Sequence, residues 1–264
     1  MIESTFDYLA VETADGIATL TLANPSKRNP LSIATMRELM AALEAAGADR
    51  SVKVVILRAE GPAFSAGHDL RELQCASDEA DVARLREIFD VCVQLMTALQ
   101  AIPQPVIAEV AGIATAAGCQ LVAACDLAVA ASDAKFATPG VKTGLFCTTP
   151  MVALTRAVGR KHAMEMLLTG EFIDAATAER WGLVNRVVPP DELHAATLAL
   201  ARKIATASGF TVGLGKAAFY TQIELDQPKA YAYAKEVMSM NALDGDAREG
   251  ITAFLERRQP IWKR

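Results

Sequence analysis

The segment most informative about the fold is Pro105-Val106-Ile107-Ala108-Glu109-Val110-Ala111-Gly112-Ile113-Ala114-Thr115-Ala116-Ala117-Gly118-Cys119-Gln120. Its first part, residues 105–110, is a short apolar run typical of a buried strand. Residues 111–118 are small and include glycines, so they predict a loop whose backbone can approach a neighbouring segment closely. The apolar run that continues to Cys125 predicts a buried helix. The stretch therefore predicts a strand, a loop and a helix in succession.

A second unit of the same order lies upstream. Residues 52–57 are apolar and β-branched, as in a buried strand, and lead into the loop Gly61-Pro62-Ala63-Phe64-Ser65-Ala66-Gly67. Residues 82–99 then carry a long helical pattern that is closed by Pro103. Two such units in a row predict stacked repeats with right-handed crossovers in a layered α/β core.

Further elements are predicted before and after these two units. An Asp15-Gly16 turn predicts a hairpin between residues 8–13 and 17–23, and a helix is predicted from Ser32 to about Gly47. After Val188-Pro189-Pro190 the pattern is almost wholly helical, so residues 1–190 are predicted as the core and residues 191–264 as a C-terminal helical region. The predicted helices of that region span residues 192–207, 215–224, 229–242 and 248–257.

Composition excludes several classes of protein. The 264 residues carry a formal charge of −5 with spread basic residues, so we expect no nucleic-acid partner. No basic leader or long apolar segment indicates a targeting signal or a membrane partner. The cysteines are odd in number and lack CxxC spacing, which argues against disulfides and a zinc site. A cytoplasmic location is therefore expected. The cysteines are Cys75, Cys92, Cys119, Cys125 and Cys147.

Two loops place small residues directly after buried strands. They are Phe64-Ser65-Ala66-Gly67-His68-Asp69-Leu70 and Ala114-Thr115-Ala116-Ala117-Gly118-Cys119-Gln120. If the loops converge, one backbone N–H from each would grip a single oxygen, as in an oxyanion hole. Removing one such donor typically costs about 3–4 kcal/mol of transition-state stabilisation.

The order of motifs closely resembles that of the crotonase, or enoyl-CoA hydratase/isomerase, superfamily over nearly the whole chain. This resemblance implies a ββα spiral core with a C-terminal helical region that assembles trimers, or hexamers made from two trimers. It also implies an acyl-CoA thioester as the ligand, with coenzyme A as part of the substrate and no permanent cofactor or metal. Besides the two loops, the motifs are Asn24-Pro25-Ser26-Lys27-Arg28-Asn29, residues 105–112, Cys125-Asp126-Leu127, residues 154–159 and residues 250–258.

The same resemblance implies roles for individual residues. The oxyanion donors fall on the backbone N–H groups of His68 and Ala117, and the His68 imidazole is interpreted as a packing or CoA-contacting group. Contacts with CoA are implied for Lys27, Ala66, His68, Asp69, Leu70 and Arg71, and, from a neighbouring subunit, for Arg258 and Lys263.

Both glutamates of the hydratases in this family are missing. The positions that match them are Gln120 and Gly140. Hydration needs one group to deprotonate water and another to protonate the α-carbon, and such help is typically worth about 10²–10⁴-fold. Gln120 can hydrogen-bond water but cannot accept its proton. We therefore expect weak or absent hydration, as in a subgroup of the family that shares both losses.

Other reactions remain open. Cys147 matches the catalytic Tyr of a methylmalonyl-CoA decarboxylase of the family, and Thr148 matches the nucleophilic Asp of 4-chlorobenzoyl-CoA dehalogenase. Decarboxylation needs fewer acid–base groups than hydration and is one alternative. Another is a non-catalytic acyl-CoA-binding regulator, and a third is an RNA-binding relative, which the acidic composition disfavours.

Overall fold

A computed structural model describes residues 6–74 and 79–263, which contain ten β-strands and ten α-helices. Cys75 lies outside these residues. The strands are β1 (Leu9–Ala14), β2 (Ile17–Leu22), β3 (Val54–Ala59), β4 (Ala63–Ser65), β5 (Val106–Val110), β6 (Ile113–Thr115), β7 (Leu127–Ala131), β8 (Lys135–Ala137), β9 (Ile173–Asp174) and β10 (Arg186–Val188). The helices are α1 (Ile33–Ala48), α2 (Glu79–Ala101), α3 (Ala117–Ala124), α4 (Thr148–Ala157), α5 (Arg160–Thr169), α6 (Ala175–Trp181), α7 (Leu193–Ala205), α8 (Gly209–Gln222), α9 (Gln227–Ala242) and α10 (Gly245–Leu255).

The strands form two sheets that the chain visits in turn. The larger sheet has the order β1-β2-β3-β5-β7-β10 and the smaller one β4-β6-β8-β9. The successions β3-β4-α2 and β5-β6-α3 each place one strand in each sheet before a helix, which is the ββα spiral implied by the motifs. One expectation is corrected: the segments predicted as loops contain β4 and β6. These three-residue strands are too short to show a strand period in the sequence.

The predicted hairpin is confirmed. β1 pairs with β2 in antiparallel register from Leu9 opposite Leu22 to Ala14 opposite Ile17. Asp15 and Gly16 both have positive φ, 52° and 76°, as a two-residue hairpin turn of type I′ requires.

The larger sheet separates two apolar layers. On one face α1, α2 and α3 cover the main core, and on the other α7 packs Leu193 and Ala201 against the sheet. The predicted first helix is present, with Ser32 capping it through the N–H of Thr35. Its end differs, because α1 continues through Gly47 to Ala48.

A buried ion pair attaches α8 to the core. Lys216 Nζ lies 2.7 Å from Asp126 Oδ2 and donates to the carbonyl oxygens of Leu99 and Gln104 at 2.7 and 2.9 Å. Tyr220 donates to the other oxygen of Asp126 at 2.8 Å. Asp126 therefore has a structural role. The predicted start of this helix at residue 215 is wrong, since Gly209 begins it.

The last two helices expose large apolar side chains. Tyr231 on α9 and Phe254 on α10 are 70% and 82% exposed. Among the described residues, no helix combines the length and apolar character needed to cross a bilayer.

Candidate active site

The two loops singled out by the sequence meet at the N-terminus of α3. A β-carbon added to Gly67 would lie 3.1 Å from the backbone nitrogen of Ala117, and one added to Gly118 would lie 2.4 Å from the carbonyl oxygen of Ser65. Gly67 also has a φ of +88°, which other residues rarely adopt. Because neither position has room for a side chain, the glycines keep the loops in backbone contact and bring the residue after Gly67 beside Ala117.

The backbone N–H groups of His68 and Ala117 are the candidate oxyanion donors. In the part of the chain that the structure describes, neither donates to a protein acceptor. Ala117 is the first residue of α3, where amides have no partner in a preceding turn and the helix dipole is positive. Neighbouring donors without protein partners are what an oxyanion hole requires.

A sharp backbone turn sets the position of Ala117. Ala116 has a φ of 50° and a ψ of −118°, a conformation rarely adopted by a residue with a side chain. Its N–H donates to the carbonyl of Ala137 at 3.0 Å, and Thr115 Oγ1 donates to the carbonyl of Ala66 at 3.1 Å. Backbone conformations of this kind cluster at functional sites.

Asn29 holds residues 24–31 beside the loop at residues 64–70 through hydrogen bonds. The sequence prediction did not include this role. Its buried amide donates to the carbonyl oxygens of Glu60 and Ala63, both at 2.8 Å, and its Oδ1 accepts the N–H of Asn24 at 2.8 Å. The available signal was the Asn29-Pro30 pair, which is typical of turns.

The residues between positions 1 and 190 for which the family resemblance implies CoA contacts lie close together. The N–H of Ala66 donates to the carbonyl of Arg28 at 3.0 Å, which places Lys27 near the first loop. Lys27 and Arg71 are exposed, and neither forms an ion pair with a carboxylate among the described residues. Asp69 accepts the N–H of Arg71 at 3.0 Å, and the Leu70 side chain is exposed. This edge offers cations and an apolar contact to a ligand.

Arg258 and Lys263 have their contacts within the C-terminal region. Arg258 pairs with Glu249 at 2.6 Å and with Glu256 at 2.7 Å, and the Lys263 N–H donates to Asp246 at 2.9 Å. The hydrogen bond from Arg258 lowers the pKa of Glu249 to about 2. A phosphate would therefore have to compete with two carboxylates for Arg258.

Gln120 is buried one turn after Ala117. Its Oε1 accepts a hydrogen bond from the Cys92 thiol at 3.8 Å, and burial raises the pKa of that thiol to about 11, so the thiol stays protonated. With its oxygen held in this way, the amide NH₂ remains to meet a ligand. Gln120 also lines a cavity of about 240 Å³ together with Thr149.

Gly140 cannot be replaced by glutamate without moving its surroundings. An added β-carbon would lie 2.1 Å from the carbonyl oxygen of Leu145 and 2.7 Å from Cys147 Sγ. The segment after Gly144 therefore fills the place that the second glutamate would need.

Cys147 and Thr148, the candidate substitutes for the missing glutamates, differ in position. Cys147 is buried over Gly140, and burial raises the pKa of its thiol, which is therefore a weak nucleophile. Thr148 is exposed at the start of α4, whereas the next residue, Thr149, faces the cavity beside Gln120. The sequence prediction missed Thr149, although its spacing with Val152, Ala153 and Arg156 indicates one face of a helix.

The His68 imidazole is held by packing. Nδ1 lies 3.2 Å from the carbonyl oxygen of Leu31, and since a carbonyl only accepts, Nδ1 carries a hydrogen. The ring meets Phe89 edge-on at 5.7 Å, and burial lowers the pKa of His68. The imidazole is therefore neutral near pH 7, and among the described residues its buried Nε2 has no partner.

Comparison with known proteins identifies the family. The family model described as enoyl-CoA hydratase/isomerase matches residues 12–264. The chain belongs to the enoyl-CoA hydratase/isomerase family. A mouse relative, enoyl-CoA hydratase domain-containing protein 3, mitochondrial, is 48% identical over 248 residues, which are 94% of this chain and 82% of the mouse protein.

Solved structures of family members confirm the crotonase fold. The crystal structure of human enoyl-CoA hydratase domain-containing protein 3 has a TM-score of 0.93 and 48% identity, covering 97% of this chain and 100% of the human one. A Mycobacterium smegmatis structure named enoyl-CoA hydratase also has a TM-score of 0.93 and 48% identity, covering 97% and 99%. The resemblance stated from the motifs is thus confirmed.

One expectation about location is wrong. The mouse relative and its human counterpart, which is 49% identical, both carry the word mitochondrial in their names. This finding contradicts the cytoplasmic location expected from the sequence. As for metal binding, the described residues contain no group of three or more His, Cys, Asp or Glu side chains arranged to hold an ion.

Proposed function

We propose that the protein binds an acyl-CoA thioester and that the thioester carbonyl oxygen accepts hydrogen bonds from the N–H groups of His68 and Ala117. The observation that carries this proposal is the backbone contact between the two loops at Gly67 and Ala117. Both N–H groups lack protein acceptors among the described residues, so a ligand oxygen would satisfy donors that are already in place. Preorganised donors of this kind act most strongly on charge that develops during a reaction.

The nucleotide and pantetheine of CoA would lie along the edge formed by Lys27 and residues 66–71. Lys27 and Arg71 supply positive charge for phosphates, and Leu70 supplies an apolar contact. In an assembled protein, Arg258 and Lys263 would reach CoA of a neighbouring subunit only if Arg258 exchanged its carboxylate partners for a phosphate.

The reaction at the bound thioester would not be efficient hydration. Gln120 offers an amide in place of a base, and the space of the second glutamate is occupied by Leu145 and Cys147. Activation of the carbonyl is retained, whereas activation of water is lost.

Decarboxylation is the second candidate, and the filled space at Gly140 favours it. The carbonyl of Leu145 and the neutral thiol of Cys147 leave no room there for a water-activating carboxylate. In this reaction the bond between the α-carbon and the carboxylate breaks, CO₂ leaves, and the electron pair moves to the thioester oxygen held by the two N–H groups. The enolate then takes a proton from a water molecule at the α-carbon. Such a step requires the oxyanion hole and little exposure to water.

We also propose that residues 191–264 assemble a trimer, or a hexamer from two trimers, with residues 1–190 as the acyl-CoA-binding core. The exposed apolar side chains on α9 and α10, such as Tyr231 and Phe254, support this proposal. Light scattering of the purified chain should give three or six times the mass of one chain. The mass of a single chain would contradict it.

The test of the proposed function combines binding and turnover of one compound. Calorimetry should show that crotonyl-CoA binds, while hydration of the same compound stays more than about tenfold below a typical kcat of about 10 s⁻¹. Hydration within about tenfold of that kcat would contradict the missing acid–base chemistry, and absence of binding for every acyl chain length would contradict the proposal as a whole. Mass spectrometry of a panel of CoA thioesters, malonyl types included, separates a decarboxylase from a non-catalytic binder.

A further inference from the structure

A groove lies between three helices beside Gln120, which is one turn after Ala117 on α3. The cavity of about 240 Å³ beside Gln120 is lined on α2 by Val93 and Met96 and on α4 by Val152 and Ala153. On each helix the lining residues recur at intervals of three and four positions, at 93, 96, 97 and 100 on α2 and at 149, 152, 153 and 156 on α4, so they belong to one face. Five of the ten lining residues are polar, but most of the exposed lining surface is apolar, which suits a hydrocarbon chain.

The groove runs parallel to α3. It includes Gln120 and Ala124 of this helix, and Ala117 lies one turn before Gln120 on the same side. Seven residue steps separate Ala117 from Ala124, which corresponds to about 10 Å along the helix. A chain whose carbonyl is held at Ala117 would therefore pass Gln120 and extend about 10 Å before it reached the far end.

An ion pair stands at the far end of the groove. Gln100 and Arg156, in the last turns of α2 and α4, line this groove and also a larger cavity of about 630 Å³. Arg156 Nε lies 2.9 Å from Glu224 Oε1, beyond the end of α8, and its Nη1 donates to the carbonyl of Val152 at 3.0 Å. The guanidinium is thus held across the junction of the two cavities. Beyond it, the larger cavity presents the apolar side chains of Phe219 and Ile223.

We infer that the Arg156 and Glu224 ion pair closes the acyl groove and limits the length of the acyl chain. This inference rests on the proposed binding of an acyl-CoA thioester. An extended chain advances about 1.2 Å per bond, as a polypeptide does over the three bonds of a residue, so about 10 Å accommodates about eight bonds. A methyl end that met a charged pair would gain no apolar contact and would remove water from the charges. The protein would therefore prefer medium chains over long ones.

The test is the dependence of affinity on chain length. Calorimetry with saturated acyl-CoA compounds of about four to fourteen carbons should give an optimum near eight to ten for the unmodified protein, the length that fills about 10 Å. In Arg156→Ala the groove and the larger cavity are joined, so the optimum should move to at least twelve carbons, with about tenfold tighter binding of the longest chain, a change of 1.4 kcal/mol. Glu224→Gln, which keeps the size of the side chain but weakens the pair, should give a smaller shift in the same direction.

The matched control is Arg37→Ala. Arg37 forms a similarly exposed ion pair with Glu87, at 2.6 Å, on the side of α2 away from the groove residues. Its loss should leave the chain-length optimum unchanged. If the unmodified protein binds acyl-CoA but the optimum of Arg156→Ala does not move, this inference is wrong and the proposed function stands. If the unmodified protein binds no chain length, the proposed function fails, and this inference fails with it.

Discussion

Gly140 and Leu145 lie so close together that a β-carbon on Gly140 would be 2.1 Å from the Leu145 carbonyl oxygen. We predict that Gly140→Ala destabilises the protein by about 1–3 kcal/mol, the usual cost of overpacking. Gly215→Ala in α8 is the matched control, because an added β-carbon there has no atom within 4 Å. It should stabilise the protein by up to about 1 kcal/mol, since alanine is the better helix former. Urea unfolding of both variants measures the difference, and equal effects would show that Gly140 is not tightly packed.

Gln120→Glu should introduce weak hydration of crotonyl-CoA. A carboxylate at this buried position supplies one base beside the groove, and general-base help is typically worth about 10²–10⁴-fold. The rate should stay below that of an efficient hydratase, because the space at Gly140 remains filled.

The control for this variant is Gln100→Glu, which adds the same carboxylate at the far end of the groove. It should leave the hydration rate unchanged. If Gln120→Glu is no faster than Gln100→Glu, water is not positioned near Gln120.

The sequence predicts the large elements of this fold better than its short ones. The hairpin at Asp15-Gly16, β3 and β5 follow from turn residues and apolar runs that are local in the sequence. The strands β4 and β6 do not, because three residues define no period. Their pairing depends on the approach of Gly118 to Ser65, which is a contact between distant segments.

In the candidate site, too, some features follow from the sequence and others do not. Family resemblance pointed to His68 and Ala117 as oxyanion donors and to Gln120 and Gly140 in place of the two glutamates, and these assignments stay predictions. It did not reveal that Leu145 and Cys147 fill the space at Gly140, or that Cys92 holds Gln120. Those contacts arise from segments that meet only in the folded chain, so no local pattern encodes them.

Buried thiols should make the protein less stable at alkaline pH. Burial raises the pKa of Cys92 to about 11 and that of Cys119 to about 12, from 9.0. The folded state keeps these protons while the unfolded state releases them above about pH 9, so the stabilisation is complete below the unfolded pKa and is lost as pH rises. Each thiol lowers the free energy of unfolding by about 1.4 kcal/mol per pH unit in this range.

Urea unfolding between pH 7 and about 10.5 measures this effect, in the window where the unfolded thiols ionise. In Cys119→Ala the alkaline slope should become shallower by about 1.4 kcal/mol per pH unit, whatever the cost of the lost side chain at neutral pH. An unchanged slope would show that the Cys119 thiol ionises equally in both states.

Lys216→Met should strongly destabilise the attachment of α8. It leaves Asp126 and the carbonyl oxygens of Leu99 and Gln104 without their buried partner, and breaking a buried pair typically costs about 3–5 kcal/mol. Lys229→Met is the matched control, since Lys229 pairs with Asp226 at 2.6 Å on the surface, where such pairs contribute at most about 1 kcal/mol. Thermal unfolding distinguishes the two, and similar losses would contradict a special role for Lys216.

The N–H groups of His68 and Ala117 are proposed to hold a thioester carbonyl. The affinity of octanoyl-CoA, compared with that of S-octyl-CoA, a thioether with a methylene group in place of the carbonyl, tests this role. Two hydrogen bonds of about 1 kcal/mol each predict at least about tenfold tighter binding of the thioester. Gly67→Ala should remove this preference, whereas Gly182→Ala, which has the same φ of +88° but no contact closer than 3.4 Å, should keep it. Equal affinity of the unmodified protein for the two compounds would show that these N–H groups do not hold the carbonyl.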